Sequence, residues 1–467
     1  VGTICFLPLH ASSWKEMLPL AQALQTQALA KPVVLACGDL TAQVTGDCQA
    51  LGLEAVALET TSQEPRGLSG LAHRLREKAE LSWKGPGGGP LPGLVRAHRR
   101  LLADQYREVG RVLDRLRPQA VAVMDGRKYG WQLPLMRACR ERGIPTAVPP
   151  VALTVSRLEL AQRNQGQRFL AEAHPALLRH HPGQAHFDPQ RRAHVFFYPV
   201  EIVSALAAQD MLPPDPWVLG GGCETVVMVE GQEEKEKHLA SGLAPSRLAV
   251  TGHRAHDSLF ARLGHKDDLR RELCARYALS ASQPLVLLTL PSFAEQGHWG
   301  WDEQWREVEH LCRVTTQQGG RPLVSLHPKM ERGRYLYLEE KFGLALARER
   351  LEEILPAADI FLASFSSTVP WAVLCRVPTL IYAFHGFTYS MFDHLGGVRV
   401  HIDRQEFSQA LGRLTRDGEW RGLLAREAEG SARRLSPFDG HCQERILRVL
   451  LGREPARQEG PRTESVL

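Results

Sequence analysis

No stretch of this 467-residue sequence comes near the ~20 consecutive apolar positions that a bilayer-spanning helix needs. The strongest apolar run, residues 285 to 290, is short and reads as a buried strand. Residues 1 to 9 are strand-like and carry neither a basic region nor a cleavage-type segment, so they read as part of the fold rather than as a signal peptide, and cytoplasmic residence is expected. Nine cysteines are present, an odd number with no Cys-x-x-Cys spacing, which argues against a disulfide framework and against a zinc site. Several fall within apolar runs, where cysteine acts as a small hydrophobe, so reduced structural thiols are expected. No Asp-x-Asp metal signature stands at a strand end, and no repeat of solenoid period is found. With 43% apolar and 23% charged residues, collagen-like, coiled-coil and disordered compositions are excluded.

What is present is a long, ordinary globular chain. Its length exceeds what one hydrophobic core comfortably serves, so two lobes with a cleft between them are expected. The formal charge of +5 is modest but uneven: residues 71 to 118 hold eleven Lys/Arg against five Asp/Glu. That basic stretch reads either as a solvated helix face or as an attraction for an anionic acceptor or an anionic membrane surface. It lacks interleaved aromatics and any binding motif around it, so no nucleic acid is expected as a partner.

The pattern along the chain alternates strand and helix. Strand-like runs at 3 to 7, 32 to 36 and 55 to 58 are separated by helical periodicity, the first helix spanning 12 to 26. Repeated βα alternation implies parallel strands joined by crossovers, hence an α/β fold with a Rossmann-like lobe. A Gly- and Pro-rich stretch between Trp83 and Leu94 reads as a loop, and a basic amphipathic helix (94 to 116) leads to a strand at 120 to 124. Further strands are expected at 143 to 148, 193 to 198, 225 to 229 and 248 to 251. The same grammar then restarts: strands at 284 to 290, 322 to 326, 360 to 363, 379 to 383 and 398 to 402. The expected division is an N-terminal Rossmann-like domain at 1–257, a C-terminal Rossmann-like domain at 258–452 whose last helix could cross back, and a disordered tail at 453–467.

Candidate chemistry gathers at strand ends, where open α/β sheets bind ligands. Ser325-Leu326-His327-Pro328-Lys329 ends one strand. A residue before proline is held extended, so His327 is fixed at the sheet edge with an imidazole able to donate to a phosphate or ribose oxygen, and Lys329 adds a cation. Another strand ends in Ser364-Phe365-Ser366-Ser367-Thr368, a hydroxyl cluster at a helix start that can cap the helix and form an anion site. Asp125-Gly126 ends the strand at 120 to 124; it is either a turn or a carboxylate placed to accept a proton. His10, after the first strand, is a second candidate base or acceptor-positioning group, while Ser12 or Ser13 caps the following helix. Gly220-Gly221-Gly222 is either a flexible turn or a place of close backbone approach. His385, Asp393 and His394 are weaker candidates for contacting a donor sugar.

His327-Pro328 with Ser366-Ser367-Thr368 resembles the HP and S-S/T motifs of GT-B enzymes that use cytidine-linked donors, namely bacterial sialyltransferases, capsular Kdo transferases and CDP-glycerol glycerophosphotransferases. Val250-Thr251-Gly252-His253-Arg254-Ala255-His256-Asp257 is similar to a segment near the interlobe boundary in these proteins and in UDP-N-acetylglucosamine 2-epimerases. The resemblance covers mainly residues 220 to 400. It implies a GT-B fold of two Rossmann-like domains facing across a cleft. It also implies that His327, Pro328, Lys329, Ser364, Ser366, Ser367, Thr368 and Gly252 line the nucleotide, with Asp125 or His10 as catalytic base. Where the sialyltransferases carry two acids before a glycine, this chain has Met124-Asp125-Gly126. The activity implied is metal-independent transfer from a nucleotide-sugar donor, CMP-linked or other, to a surface-glycan or glycolipid acceptor, with no cofactor beyond that donor. Peripheral membrane association through residues 71–118 fits such an acceptor. A nucleotide-sugar 2-epimerase is the first alternative, although the N-terminal Gly-Thr-Arg-Pro-Glu-type segment of those enzymes is missing. A non-catalytic scaffold binding nucleotide or glycan is the second.

Overall fold

The computed structural model describes residues 2–60, 92–150, 157, 160–161, 164, 166–295, 299–364, 366–383 and 391–453. Most of the Gly/Pro-rich loop, the basic residues 71–91, His385 and the tail from 454 lie outside them. The chain divides into two compact units. The first comprises Val1–Val229, Glu234–Val250 and Arg445–Arg457; the second is built around Thr251–Glu444 together with Glu230–Glu233.

In the first unit the strands are β1 (Thr3–Phe6), β2 (Lys31–Ala36), β3 (Glu54–Ala57), β4 (Ala120–Ala122) and β5 (Thr146–Val148), then a separate pair β6 (Ala185–Asp188) and β7 (Ala193–Phe196), then β8 (Val226–Val229) and β9 (Leu248–Val250). Seven of them form one parallel sheet in the order β3-β2-β1-β4-β5-β8-β9, with Ile4 opposite Pro32 on one side of β1 and opposite Ala120 on the other. The strands are apolar on successive residues because helices cover the sheet on its two faces. Cys5, Leu7, Val33 and Leu35 pack against Val109, Val112 and Leu113 of the helix Pro92–Leu116 and against Leu135 and Cys139 of Gln132–Arg142. The intervening residues Ile4, Phe6, Val34 and Ala36 pack against Trp14, Met17 and Leu20 of Ala11–Thr26 and against Ile446, Leu447 and Leu450. Each such side chain contributes about 1.5–3 kcal/mol on full burial, and a one-residue slip of β1 would exchange the two sets. The run at 193 to 198 is not a member of this sheet: β7 pairs antiparallel with β6 as a hairpin of its own. It has no helical crossover before it, and the four-residue reversal between Asp188 and Ala193 can join antiparallel strands alone.

The second unit repeats the plan. Strands β10 (Val286–Thr289), β11 (Leu323–Ser325), β12 (Ala345–Leu346), β13 (Ile360–Ala363), β14 (Thr379–Tyr382) and β15 (Val398–His401) form a parallel sheet in the order β12-β11-β10-β13-β14-β15. Val286 and Leu288, with Leu362 and Leu380, pack against Val308 and Leu311 of the helix Trp301–Gly319 and Leu411 and Leu414 of Arg404–Arg416. All nine cysteines are free thiols, eight of them buried. Among the described residues no helix is long and apolar enough to cross a membrane.

Candidate functional site

In the second unit β10 is the strand at which the order reverses, with β11 on one side and β13 on the other. The loops leaving β11 and β13 therefore emerge from the same carboxyl-end edge, about 10 Å apart at two strand spacings, at the kind of switch point where open parallel sheets take ligands. His327, Pro328 and Lys329 follow β11 and are exposed. The Lys329 N–H donates to His327 Nδ1 at 3.1 Å and the Met330 N–H to the His327 carbonyl at 2.8 Å. With Nδ1 accepting, the ring proton belongs on Nε2, the nitrogen that can donate to a ligand oxygen.

After β13 the hydroxyls divide their work. Ser364 is buried and donates to the Tyr382 carbonyl at 3.1 Å, tying the end of β13 to the end of β14. Ser366 Oγ and Thr368 Oγ1 lie 2.7 Å apart, the Thr368 N–H donates to Ser366 Oγ at 3.3 Å, and Ser367 is exposed. The helix they precede, Val369–Leu374, is six residues long with Pro370 in its first turn, and Thr368 makes no side-chain cap. So short a helix, lacking one N–H, offers little dipole; what this edge presents is hydroxyls.

The Val250–Asp257 segment reaches the same short helix from another direction. The His253 ring lies 5.7 Å from that of Trp371, and His256 lies 6.3 Å from it. Gly252 has φ of +77°, and a Cβ there would stand 2.2 Å from Cys442 Sγ, so the position requires glycine for close packing on the start of the last helix. Asp257 accepts from the N–H groups of Cys442 and Gln443, each at 2.8 Å, and so caps that helix. His256 is fully buried with Nδ1 2.8 Å from Ser436 Oγ, and burial, then its neighbour His253, push its pKa well down. His394 pairs with Glu233 at 2.8 Å.

In the first unit β1 and β4 are neighbours across the corresponding reversal, so His10 and Asp125 share an edge. His10 is exposed at the N-cap of Ala11–Thr26; the hydroxyl expected to cap is instead inside the first turn, where Ser13 Oγ accepts from the His10 N–H at 3.1 Å. Asp125 does form a turn: its Oδ1 accepts from the Arg127 N–H and from Gln132 Nε2, each at 3.1 Å, while Oδ2 stands 3.8 Å from Arg127 Nε. Tyr198 donates its hydroxyl to the Arg127 carbonyl. Against Gly126 lies a residue the sequence did not single out, Glu224. Its carboxyl is fully buried, Oε2 is 3.1 Å from Arg247, and its pKa is pushed up to about 7, mainly by burial and further by Asp125. The available signal was a carboxylate two residues after Gly220-Gly221-Gly222 and just ahead of a buried strand. Those glycines allow close approach of protein to protein, to Val227, to the Asp215 carbonyl and to Glu224 itself.

No protein-family model matches the chain, and no curated protein does so either. Solved structures do match along its length. The UDP-GlcNAc 2-epimerase of Neisseria meningitidis bound to UDP-GlcNAc is 12% identical with a TM-score of 0.54, covering 96% of this chain and 99% of that one. The glycotransferase of kitacinnamycin is 13% identical with a TM-score of 0.55, covering 97% and 99%. The S. aureus MnaA structure with UDP is 12% identical with a TM-score of 0.53, covering 98% and 99%. The fold is GT-B. Its two Rossmann-like domains are the units described above.

Proposed function

We propose that this GT-B chain is an enzyme that binds a nucleotide sugar and transfers the sugar to a hydroxyl of a surface-glycan or glycolipid acceptor, with a cytidine-linked donor as the first choice. The observation that carries the reading is the shared edge of β11 and β13, from which His327 with Lys329 and the hydroxyls of Ser366, Ser367 and Thr368 emerge on either side of β10. In this reading Asp125 takes the proton from the acceptor hydroxyl, whose oxygen bonds to the anomeric carbon as the bond from that carbon to the nucleotide phosphate breaks. The charge growing on the departing phosphate is met by His327 Nε2–H, Lys329 and the hydroxyl cluster, without calling on a divalent ion. Pro328 holds His327 extended, Ser364 fixes the strand end beneath the cluster, and Gly252 seats the segment that carries His253 against Trp371. His10 remains the second candidate for the acceptor side. The exposed arginines 96, 99 and 100 of the helix Pro92–Leu116 would bring the enzyme to an anionic membrane surface carrying the acceptor.

A second reading, a nucleotide-sugar 2-epimerase, is favoured by the Val250–Asp257 segment and by the full-length likeness to the Neisseria meningitidis epimerase. Turnover separates the two. With CMP- and UDP-linked sugars as donors, a transferase releases nucleotide in an acceptor-dependent way, whereas an epimerase interconverts sugars with no acceptor. His327→Ala and Ser367→Ala are each expected to lower donor turnover by ~10-fold or more, the scale of one hydrogen bond to a charged group. Unchanged rates in both variants would remove the assignment.

A further inference from the structure

Glu224 is the buried acid that the proposed mechanism leaves unused. Its side chain is fully buried, and among the described residues Oε1 has no hydrogen-bond partner. Oε2 meets Arg247, whose guanidinium also donates to the Gly220 carbonyl at 2.7 Å and the Glu224 carbonyl at 3.0 Å, so the arginine staples the loop as well as facing the acid. Oε1 points at the Asp125 turn: a Cβ built on Gly126 would fall on it, at 1.2 Å. Oε1 and the Gly126 carbonyl oxygen each lie 2.7 Å from the point where a Cβ on Gly222 would stand, so the glycine leaves room for both.

We propose that Glu224 is a positioning residue that holds a proton beside Asp125, so that its charge state sets how strongly Asp125 draws the proton from an acceptor hydroxyl. The role rests on the reading of Asp125 as base. A negative charge near the buried Glu224 carboxyl opposes its ionisation. The charged and titratable groups facing it are Arg247 and Arg127, which favour its ionised form, Asp125, which opposes it, and Tyr198, whose own pKa burial drives upward. Burial outweighs the arginines, which puts the titration near neutrality at about 7.

The sign follows. A carboxyl whose folded pKa lies above its ordinary 4.5 contributes stability that is complete below 4.5 and lost as pH rises through about 7. Melting temperature against pH for the full chain is therefore the test, in wild type, Glu224→Gln, Asp125→Asn and the double variant. Asparagine retains the oxygen that accepts from Arg127 and Gln132. Relative to wild type, Glu224→Gln should match below pH 4.5, melt progressively higher as pH rises from there to about 7, and keep a constant lead above it. In the Asp125→Asn background the lead should be smaller and level off at a lower pH, because the opposing charge is gone. A difference that does not vary with pH, or a lead whose size and levelling-off are unmoved by Asp125→Asn, overturns the proposal. The base reading is tested apart from it: if Asp125→Asn keeps its turnover of donor, that reading falls and takes this role with it, whatever the melting curves show.

Discussion

Ser364 and Ser367 leave the same strand and do different things. The buried Ser364 hydroxyl is committed to the Tyr382 carbonyl, whereas Ser367 is exposed beside the Ser366–Thr368 pair. Ser364→Ala leaves a buried carbonyl short of a donor and is expected to cost about 1–3 kcal/mol, read as a lower melting temperature with nucleotide affinity within twofold of wild type. A tenfold loss of affinity in Ser364→Ala would instead place that hydroxyl on the ligand. The sequence could locate the hydroxyl cluster but not this division, because the carbonyl that claims Ser364 belongs to the next strand. The same holds for Asp257, which reads locally as the end of a motif and in three dimensions caps a helix at Cys442. Glu224 escaped for a related reason: the glycine run before it and the strand after it mark it only weakly, and what distinguishes it is burial against a turn formed by Asp125 and Gly126.

At the level of elements, β1, β2, β10, β13 and β14 were legible because a strand buried on two faces is apolar at every position and is bounded by turn residues. β12 was not, since Ala345–Leu346 is two residues long and carries no periodicity. The run at 193 to 198 is legible as a strand, but its antiparallel partner β6 is not, because hydrophobicity states burial and not partner. Order within each sheet is what brings the candidate residues to shared edges: β1 beside β4, and β11 and β13 flanking β10. The turn after β4 has its own requirement. Gly126 adopts φ of +71°, and a side chain there would collide with Glu224. Gly126→Ala should therefore destabilise the fold by ~1–3 kcal/mol and depress the melting temperature more at high pH, where Glu224 is ionised and least able to yield, than at pH 5. A melting temperature equal to wild type would show that the turn has room that this geometry denies it.

Across the whole molecule, one plan is used twice. Each unit holds a parallel sheet whose order reverses at its first strand, and that repetition, visible in the chain as two rounds of strand and helix, is why two Rossmann-like lobes could be anticipated; GT-B itself was implied by the motif resemblance. The last helix, Cys442–Leu450, contributes Ile446, Leu447 and Leu450 to a core of the first unit. Substrate identity was less legible, because the likeness to known structures stands at 11–13% identity and the donor is chosen by side chains in loops. The account depends on the second unit holding a nucleotide between His327 and the Ser366–Thr368 hydroxyls, and calorimetric titration of the full chain with CMP, CDP, UDP and GDP measures this directly. Wild type should bind at least one of the four, and His327→Ala and Ser367→Ala should each bind it ~10-fold or more weakly while melting within a few degrees of wild type. Equal affinity in all three proteins, or no binding of any of the four by wild type, would contradict it.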